Sequence, residues 1–177
     1  MSTPTRGIDF SRLSLRDAMD LAILVEEEAR DRYQEFAEQL RLHRTAEAAA
    51  FFERMSGIEE KHRKALFERR HTVFKDQPTT VNRGMIFDVE APDFDEARAF
   101  MTVSAALTAA MHGEVKAHRF FVEALKHVTD PKARELFEEL RDEEVVHQKL
   151  VQAELDRLPP ESRLKADDFS DEPVSTD

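Results

Sequence analysis

Two glutamate–histidine pairs with the same spacing are the residues of this chain best suited to chemistry. Glu59 is followed three residues later by His62, and Glu144 is followed three residues later by His147. Residues three apart lie on one face of an α-helix, about one turn from each other. A carboxylate and an imidazole placed in this way can bind a divalent ion such as Fe(II) or Mn(II). The two pairs therefore indicate a metal site, if the fold brings them together.

The spacing alone is weakly specific. With 22 glutamates and 7 histidines in 177 residues, chance gives about one such pair, and the chain has three. The third pair, Glu68 with His71, lies nine residues beyond Glu59 with His62, about half a turn around the predicted helix. We interpret this third pair as a solvated helix end. The other two pairs are more specific indicators of a metal site, because they occupy equivalent positions in an internal repeat.

The repeat relates the two halves of the chain. The apolar pattern around Glu59 recurs around Glu144, 85 residues later. The apolar pattern around Glu26 recurs around Glu114, 88 residues later. The difference of three residues falls in predicted loops. The chain is therefore two copies of one helical hairpin, each with an apolar stripe that it must bury against the other.

The elements that carry these residues are four long predicted helices, at 14–41, 45–70, 102–127 and 130–158. Ser14 with Asp17 and Asp130 with Pro131 are typical helix starts. About three residues join the two helices of each pair, which predicts antiparallel hairpins. The connection over 71–101 is much longer and is predicted to contain a short helix at 94–100. We therefore expect an all-α fold, a four-helix bundle of two hairpins joined by a long crossover.

The composition limits the organisation and the function. We expect a flexible N-terminus over 1–10, one bundle over 11–158 and a flexible acidic tail over 159–177. The chain has no cysteine, which excludes disulfides, thiolate metal sites and thiol nucleophiles. Its net charge of −11 argues against nucleic-acid binding. The sequence has no long apolar run and no signal peptide, so we expect no membrane span and a cytoplasmic location.

Four glutamates lie where isolated charges are not tolerated. Glu26 shares the apolar face of its helix with Tyr33, and Glu59, Glu114 and Glu144 lie within the apolar stripes of the other three helices. Each ionised carboxylate in a dry core costs roughly several kcal/mol, so these groups must be protonated, paired or bound to metal. The order Glu, Glu-x-x-His, Glu, Glu-x-x-His is the ligand set of di-iron and di-manganese carboxylate bundles. Four negative charges would balance two divalent ions.

Three polar residues near these glutamates have two interpretations each. Tyr33 either donates a hydrogen bond to a ligand, as a candidate catalytic residue, or is a plain core tyrosine. Arg30 either pairs with a ligand carboxylate or extends towards solvent. His118, four residues after Glu114, is either an additional ligand or supporting group, or a packed, hydrogen-bonded histidine.

The motifs resemble those of rubrerythrin, within the ferritin-like superfamily. The segments that carry the resemblance, within 11–158, are Glu26-x-x-Ala29-Arg30-x-Arg32-Tyr33, Glu59-x-x-His62, Gly113-Glu114 and Glu144-x-x-His147. The resemblance implies an up-down-down-up bundle with a non-haem di-iron centre. The implied metal ligands are Glu26, Glu59, His62, Glu114, Glu144 and His147, with Glu59 and Glu144 bridging. Two iron ions are expected, with manganese or a mixed pair as alternatives.

Two departures from rubrerythrin affect the expected function. Rubrerythrin proper carries a rubredoxin domain with four cysteines, and this chain has none. Rubrerythrin also has a further glutamate three residues after the third-helix ligand, where this chain has Ala117. Peroxidase turnover of the rubrerythrin type is therefore less favoured than a simpler ferroxidase or iron-handling role.

The resemblance and the residues together predict an oxidoreductase. We expect Fe(II) to be oxidised by O₂ or H₂O₂, in oxidative-stress defence and iron homeostasis, with an external electron donor that the sequence does not identify. A homodimer or a higher homo-oligomer is expected. The alternative is a component of iron storage or delivery, oligomeric or docked to a partner, that does not turn over. Two further readings are substrate oxygenation in the same pocket and a metal-free interaction module.

Overall fold

The computed structural model describes residues 8–42, 46–86 and 102–160. These residues form a short 3₁₀-helix, Phe10–Arg12, and five α-helices, without a β-strand among them. The helices are α1 (Leu15–Leu42), α2 (Ala46–Phe74), α3 (Arg83–Ile86), α4 (Val103–Leu125) and α5 (Pro131–Arg157). α1 packs along α2, and α4 packs along α5. The prediction of an all-α bundle of two hairpins is confirmed, whereas the expected helix at 94–100 and most of both chain ends lie outside the described residues.

Side-chain caps begin α1 and α5. The Ser14 hydroxyl accepts from the Asp17 backbone N–H at 3.2 Å, and the Ser14 N–H donates to the Asp17 carboxylate at 3.4 Å. The Asp130 carboxylate accepts from the N–H groups of Lys132 and Ala133 at 2.9 and 2.8 Å. Both caps satisfy backbone donors that have no partner within the helix.

The second helix extends beyond its predicted end. α2 continues to Phe74, where Lys75 adopts a φ of 51° and its N–H donates to the carbonyl of His71 at 2.8 Å. Glycine usually occupies this left-handed position, so a lysine there gives no sequence signal. The chain after the helix is held by Arg70, whose buried guanidinium binds Asp20 of α1 and donates to the carbonyls of Lys75 and Gln77.

Two apolar clusters fill the bundle, one towards each end. The first contains Val25, Phe121 and Phe137, and the second contains Phe52 and Leu107, each with residues from several helices. The repeated glutamates lie along the helices between these two clusters. The fold therefore places all of them at one level of the bundle, with apolar side chains on both sides.

Candidate metal centre

All four long helices contribute a polar side chain to the middle of the bundle. α1 provides Glu26, α2 provides Glu59 and His62, α4 provides Glu114, and α5 provides Glu144 and His147. Five of these six residues are at most 3% exposed, whereas the side chain of His62 is 28% exposed. The six predicted site residues are thus brought together, and their role as metal ligands remains a prediction.

The side chains form two groups, one around each histidine. The Nδ1 atom of His62 lies 3.7 Å from a carboxylate oxygen of Glu26 and 3.9 Å from one of Glu143. The Nδ1 atom of His147 lies 3.3 Å from an oxygen of Glu114 and 3.8 Å from one of Glu144. Each group of one imidazole and two carboxylates could hold one metal ion.

Glu59 connects the two groups. One of its oxygens lies 3.8 Å from Nδ1 of His62, and the other lies 3.5 Å from Nδ1 of His147. The two imidazole rings are nearly parallel, with centroids 5.3 Å apart. A carboxylate placed in this way could contribute one oxygen to each of two metal ions.

The donor atoms fit a pair of divalent ions. Two nitrogen or oxygen ligands bound at about 2.0–2.2 Å to one ion lie at most about 4.4 Å apart, and the distances around each histidine fall below this limit. Within the described residues, Oε2 of Glu26 and Nδ1 of His62 are buried and have no hydrogen-bond partner. Buried polar atoms are rarely left in this state. Carboxylates with one imidazole per ion suit Fe(II) or Mn(II).

Protons compensate the charge when no metal is bound. Burial raises the pKa of Glu26 to about 7 and also raises the pKa of Glu143. Burial opposes protonation of His147, but the carboxylates of Glu114 and Glu26 outweigh it and raise the pKa of this histidine. Burial and the neighbouring His147 lower the pKa of His62. The centre therefore holds protons where a metal ion would otherwise supply positive charge.

The structure shows the surroundings of the three polar residues that had two interpretations each, Tyr33, Arg30 and His118. The hydroxyl of Tyr33 donates a hydrogen bond to Oε1 of Glu114, so it contacts a predicted ligand. The guanidinium of Arg30 binds Asp31 and Glu60, neither of which is a predicted ligand. His118 is half-buried, and the potential metal groups found among the described residues do not include it.

The structure adds Glu143, which the sequence did not single out. It lies four residues before His147 on the same helix, and its carboxylate is in the group of Glu26 and His62. The repeat-equivalent position in α2 is Ile58, so the comparison of the two halves could not reveal it. The spacing of four residues to His147, typical of one helix face, was the available signal.

Comparison with known families gives a clear match. The family model described as rubrerythrin matches residues 17–155. The chain belongs to the rubrerythrin family. The match covers the four helices and all of the residues at the centre. Membership of this family supports a di-iron protein of the ferritin-like superfamily.

A solved structure shares the fold. A crystal structure of an uncharacterised conserved protein from Magnetospirillum magnetotacticum MS-1 superposes with a TM-score of 0.69, at 22% sequence identity, over 83% of this chain and 97% of that one. The likeness supports the ferritin-like bundle. A comparison with curated proteins gives no match. None of the helices in the described part of this rubrerythrin-family chain is long and apolar enough to cross a membrane.

Proposed function

We propose that this chain is a di-iron protein that oxidises Fe(II) with O₂ or H₂O₂. It would thereby lower free ferrous iron, and with H₂O₂ as the oxidant it would also consume peroxide. The position of Glu59 between His62 and His147 carries the proposal, because a single carboxylate reaches both imidazoles. The proposed ligands are Glu26, Glu59, His62, Glu114, Glu144 and His147. Manganese is the alternative metal for the same oxygen and nitrogen donors.

The protein residues hold the two ions and balance their charge. Two bound irons would supply two electrons and a site for the oxidant. The four carboxylates Glu26, Glu59, Glu114 and Glu144 would neutralise two divalent ions, and Glu26, whose pKa is raised by burial, would release its proton as an ion binds. Carboxylates can change between one and two bound oxygens as the metal charge changes, because their side chains are flexible.

Tyr33 orients one of these ligands. Its hydroxyl donates to one oxygen of Glu114, which leaves the other oxygen, 3.3 Å from Nδ1 of His147, to face the metal position. Hydrogen bonds of this kind fix a ligand and tune its basicity. The phenol is also placed to move a proton to or from that carboxylate.

The apolar clusters on both sides exclude competing chemistry. The centre is flanked by side chains such as Val25 and Phe121 on one side and Phe52 and Leu107 on the other. Apolar walls of this kind favour a small oxidant such as O₂ or H₂O₂ over a large polar substrate. The 177 residues contain no cysteine, so electrons for repeated turnover would come from further Fe(II) or from an external reductant rather than from a cysteine-bound iron centre within these residues.

The test is an anaerobic titration with Fe(II), followed by rapid mixing with O₂ or with H₂O₂. We expect two Fe(II) per chain and a fast optical change with at least one oxidant. Glu59→Ala should abolish Fe(II)-dependent oxidant consumption, whereas Glu68→Ala, from the solvated pair on the same helix, should leave it intact. Unchanged consumption in Glu59→Ala would contradict the proposal.

The particle size in the same preparation addresses the storage alternative. A dimer that binds two irons per chain favours the redox enzyme. A large shell that accumulates many irons per chain favours storage. The rates with the two oxidants distinguish a ferroxidase from a peroxide scavenger.

A further inference from the structure

We propose that metal ions reach the centre through a cleft between α2 and α5, and that Glu143 transfers each incoming ion from the cleft to His62 and Glu26. This inference rests on the proposed function, because it describes how the same centre is loaded. It assigns a role to a carboxylate outside the repeated ligand set.

The cleft opens beside His62. It has a volume of about 140 Å³, enough for several water molecules, each of which occupies about 30 Å³ in the liquid. A partly hydrated ion therefore fits. The lining residues are His62, Ala65, Leu66, Arg69, Leu136, Glu139, Leu140 and Glu143.

The two halves of the centre differ in their access to solvent. The side chain of His62 is 28% exposed, whereas that of His147 is 3% exposed. Glu143, with 45% of its side chain exposed, reaches from the cleft to within 3.9 Å of Nδ1 of His62. An ion that arrives from solvent therefore meets the His62 half first.

A buried acceptor lies directly behind Glu143. Glu26 is 3% exposed, its Oε2 has no hydrogen-bond partner among the described residues, and it lies 3.7 Å from Nδ1 of His62. Glu26, His62 and Glu143 together could hold one ion. Glu143 can thus bind an ion while that ion is still partly hydrated, and then pass it inwards.

Charge also distinguishes Glu143 from the carboxylate nearer the surface. Arg69 binds Glu139 at 2.7 Å, so Glu139 is already neutralised by a cation. In the part of the chain that the structure describes, the contact of Glu143 with a basic group is with His62 alone. Its carboxylate is therefore available to an incoming cation.

The opposite side of α2 is closed by ion pairs. Arg30 of α1 binds Glu60 of α2 at 2.9 Å, and Arg63 binds the same carboxylate at 2.7 Å. Arg83 of α3 binds Glu27 and also Asp31, the latter at 3.2 Å. Because these carboxylates are already paired with arginines, they attract an incoming divalent cation less than Glu143 does, which makes the cleft between α2 and α5 the favoured route.

Two variants test the route, and Co²⁺ is the probe because its binding is visible by absorbance. Glu143→Gln removes the charge, and Ala65→Phe narrows the cleft at an exposed position without changing any of the six proposed ligands. The matched control is Glu138→Gln, which changes a glutamate on the same helix with the same exposed fraction of 45% outside the cleft. Stopped-flow absorbance gives the rates, and equilibrium titration gives the affinity and the stoichiometry.

We expect Glu143→Gln to slow Co²⁺ entry by about 10-fold or more, since a charged cleft raises association rates by at least this factor. Ala65→Phe should slow entry and release equally and leave the affinity unchanged. Glu138→Gln should behave like the unmodified protein. The route would be overturned if Co²⁺ entered Glu143→Gln and Ala65→Phe as fast as it enters the control. It would also be overturned if Glu143→Gln lost Co²⁺ affinity entirely through faster release. If the unmodified protein binds no Co²⁺, the proposed function itself fails.

Discussion

The metal-free protein should lose stability as the pH rises from about 5.5 to about 8. Burial raises the pKa of Glu26 from its ordinary value of 4.5 to about 7. Between these two values the folded chain holds a proton that the unfolded chain has lost. Each step upwards in pH therefore favours the unfolded state.

The expected size follows from this pKa difference. One pKa unit corresponds to about 1.4 kcal/mol, so the full effect of Glu26 is about 3 kcal/mol, of which about 2 kcal/mol falls between pH 5.5 and 8. The raised pKa values of His147 and Glu143 act in the same direction, and the lowered pKa of His62 acts against them. Carboxyls with lowered pKa values, such as Glu60, titrate below this range.

The assay is urea denaturation at about pH 5.5 and at about pH 8, carried out on the chelator-treated unmodified protein and on the chelator-treated Glu26→Gln variant. The variant has no carboxyl to titrate at this position, so its stability should change by about 2 kcal/mol less than that of the unmodified protein. Saturating Mn²⁺ should reverse the trend, because metal binding requires deprotonated ligands. If Glu26→Gln and the unmodified protein lose the same stability between the two pH values, Glu26 is not the group that holds the proton.

Three further changes test contacts of the structure. Tyr33→Phe removes the hydrogen bond to Glu114 and should lower Co²⁺ affinity by about 10- to 100-fold without changing the stoichiometry; an unchanged titration would contradict the orienting role. Asp20→Ala leaves the guanidinium of Arg70 buried without its partner and should cost about 3–5 kcal/mol in urea denaturation, so a loss well below 1 kcal/mol would argue against this ion pair. Asp130→Ala removes the cap of α5 and should cost about 1 kcal/mol, whereas Asp130→Ser should retain most of the stability measured by thermal unfolding.

Helix starts were predictable because the chemistry of a cap is local. Ser14 with Asp17, and Asp130 with Pro131, are close in sequence and meet in the structure within one helical turn. The end of α2 was not predictable, because Lys75 takes a left-handed conformation that glycine usually adopts. The short helix α3 was not predicted either, since four residues carry no helical period.

Some contacts of the candidate site were open to prediction and others were not. Helical periodicity placed Glu26 and Tyr33 on one face, and the internal repeat drew attention to equivalent positions. The partners of Arg30 depended on which helices became neighbours, and the structure pairs it with Asp31 and Glu60. Glu143 has no equivalent in the other half of the chain, where Ile58 occupies the corresponding position. The internal repeat therefore could not predict that Glu143 belongs to the site.

The sequence by itself determined which residues share a helix face, since that depends on a local period of 3.6 residues. It also determined the repeat, the absence of cysteine and the acidic charge. Only the tertiary structure decided that Glu59 lies between His62 and His147, and that His62 is nearer to solvent than its repeat partner. These properties depend on how the two hairpins pack, because residues far apart in the chain meet only through the bundle core.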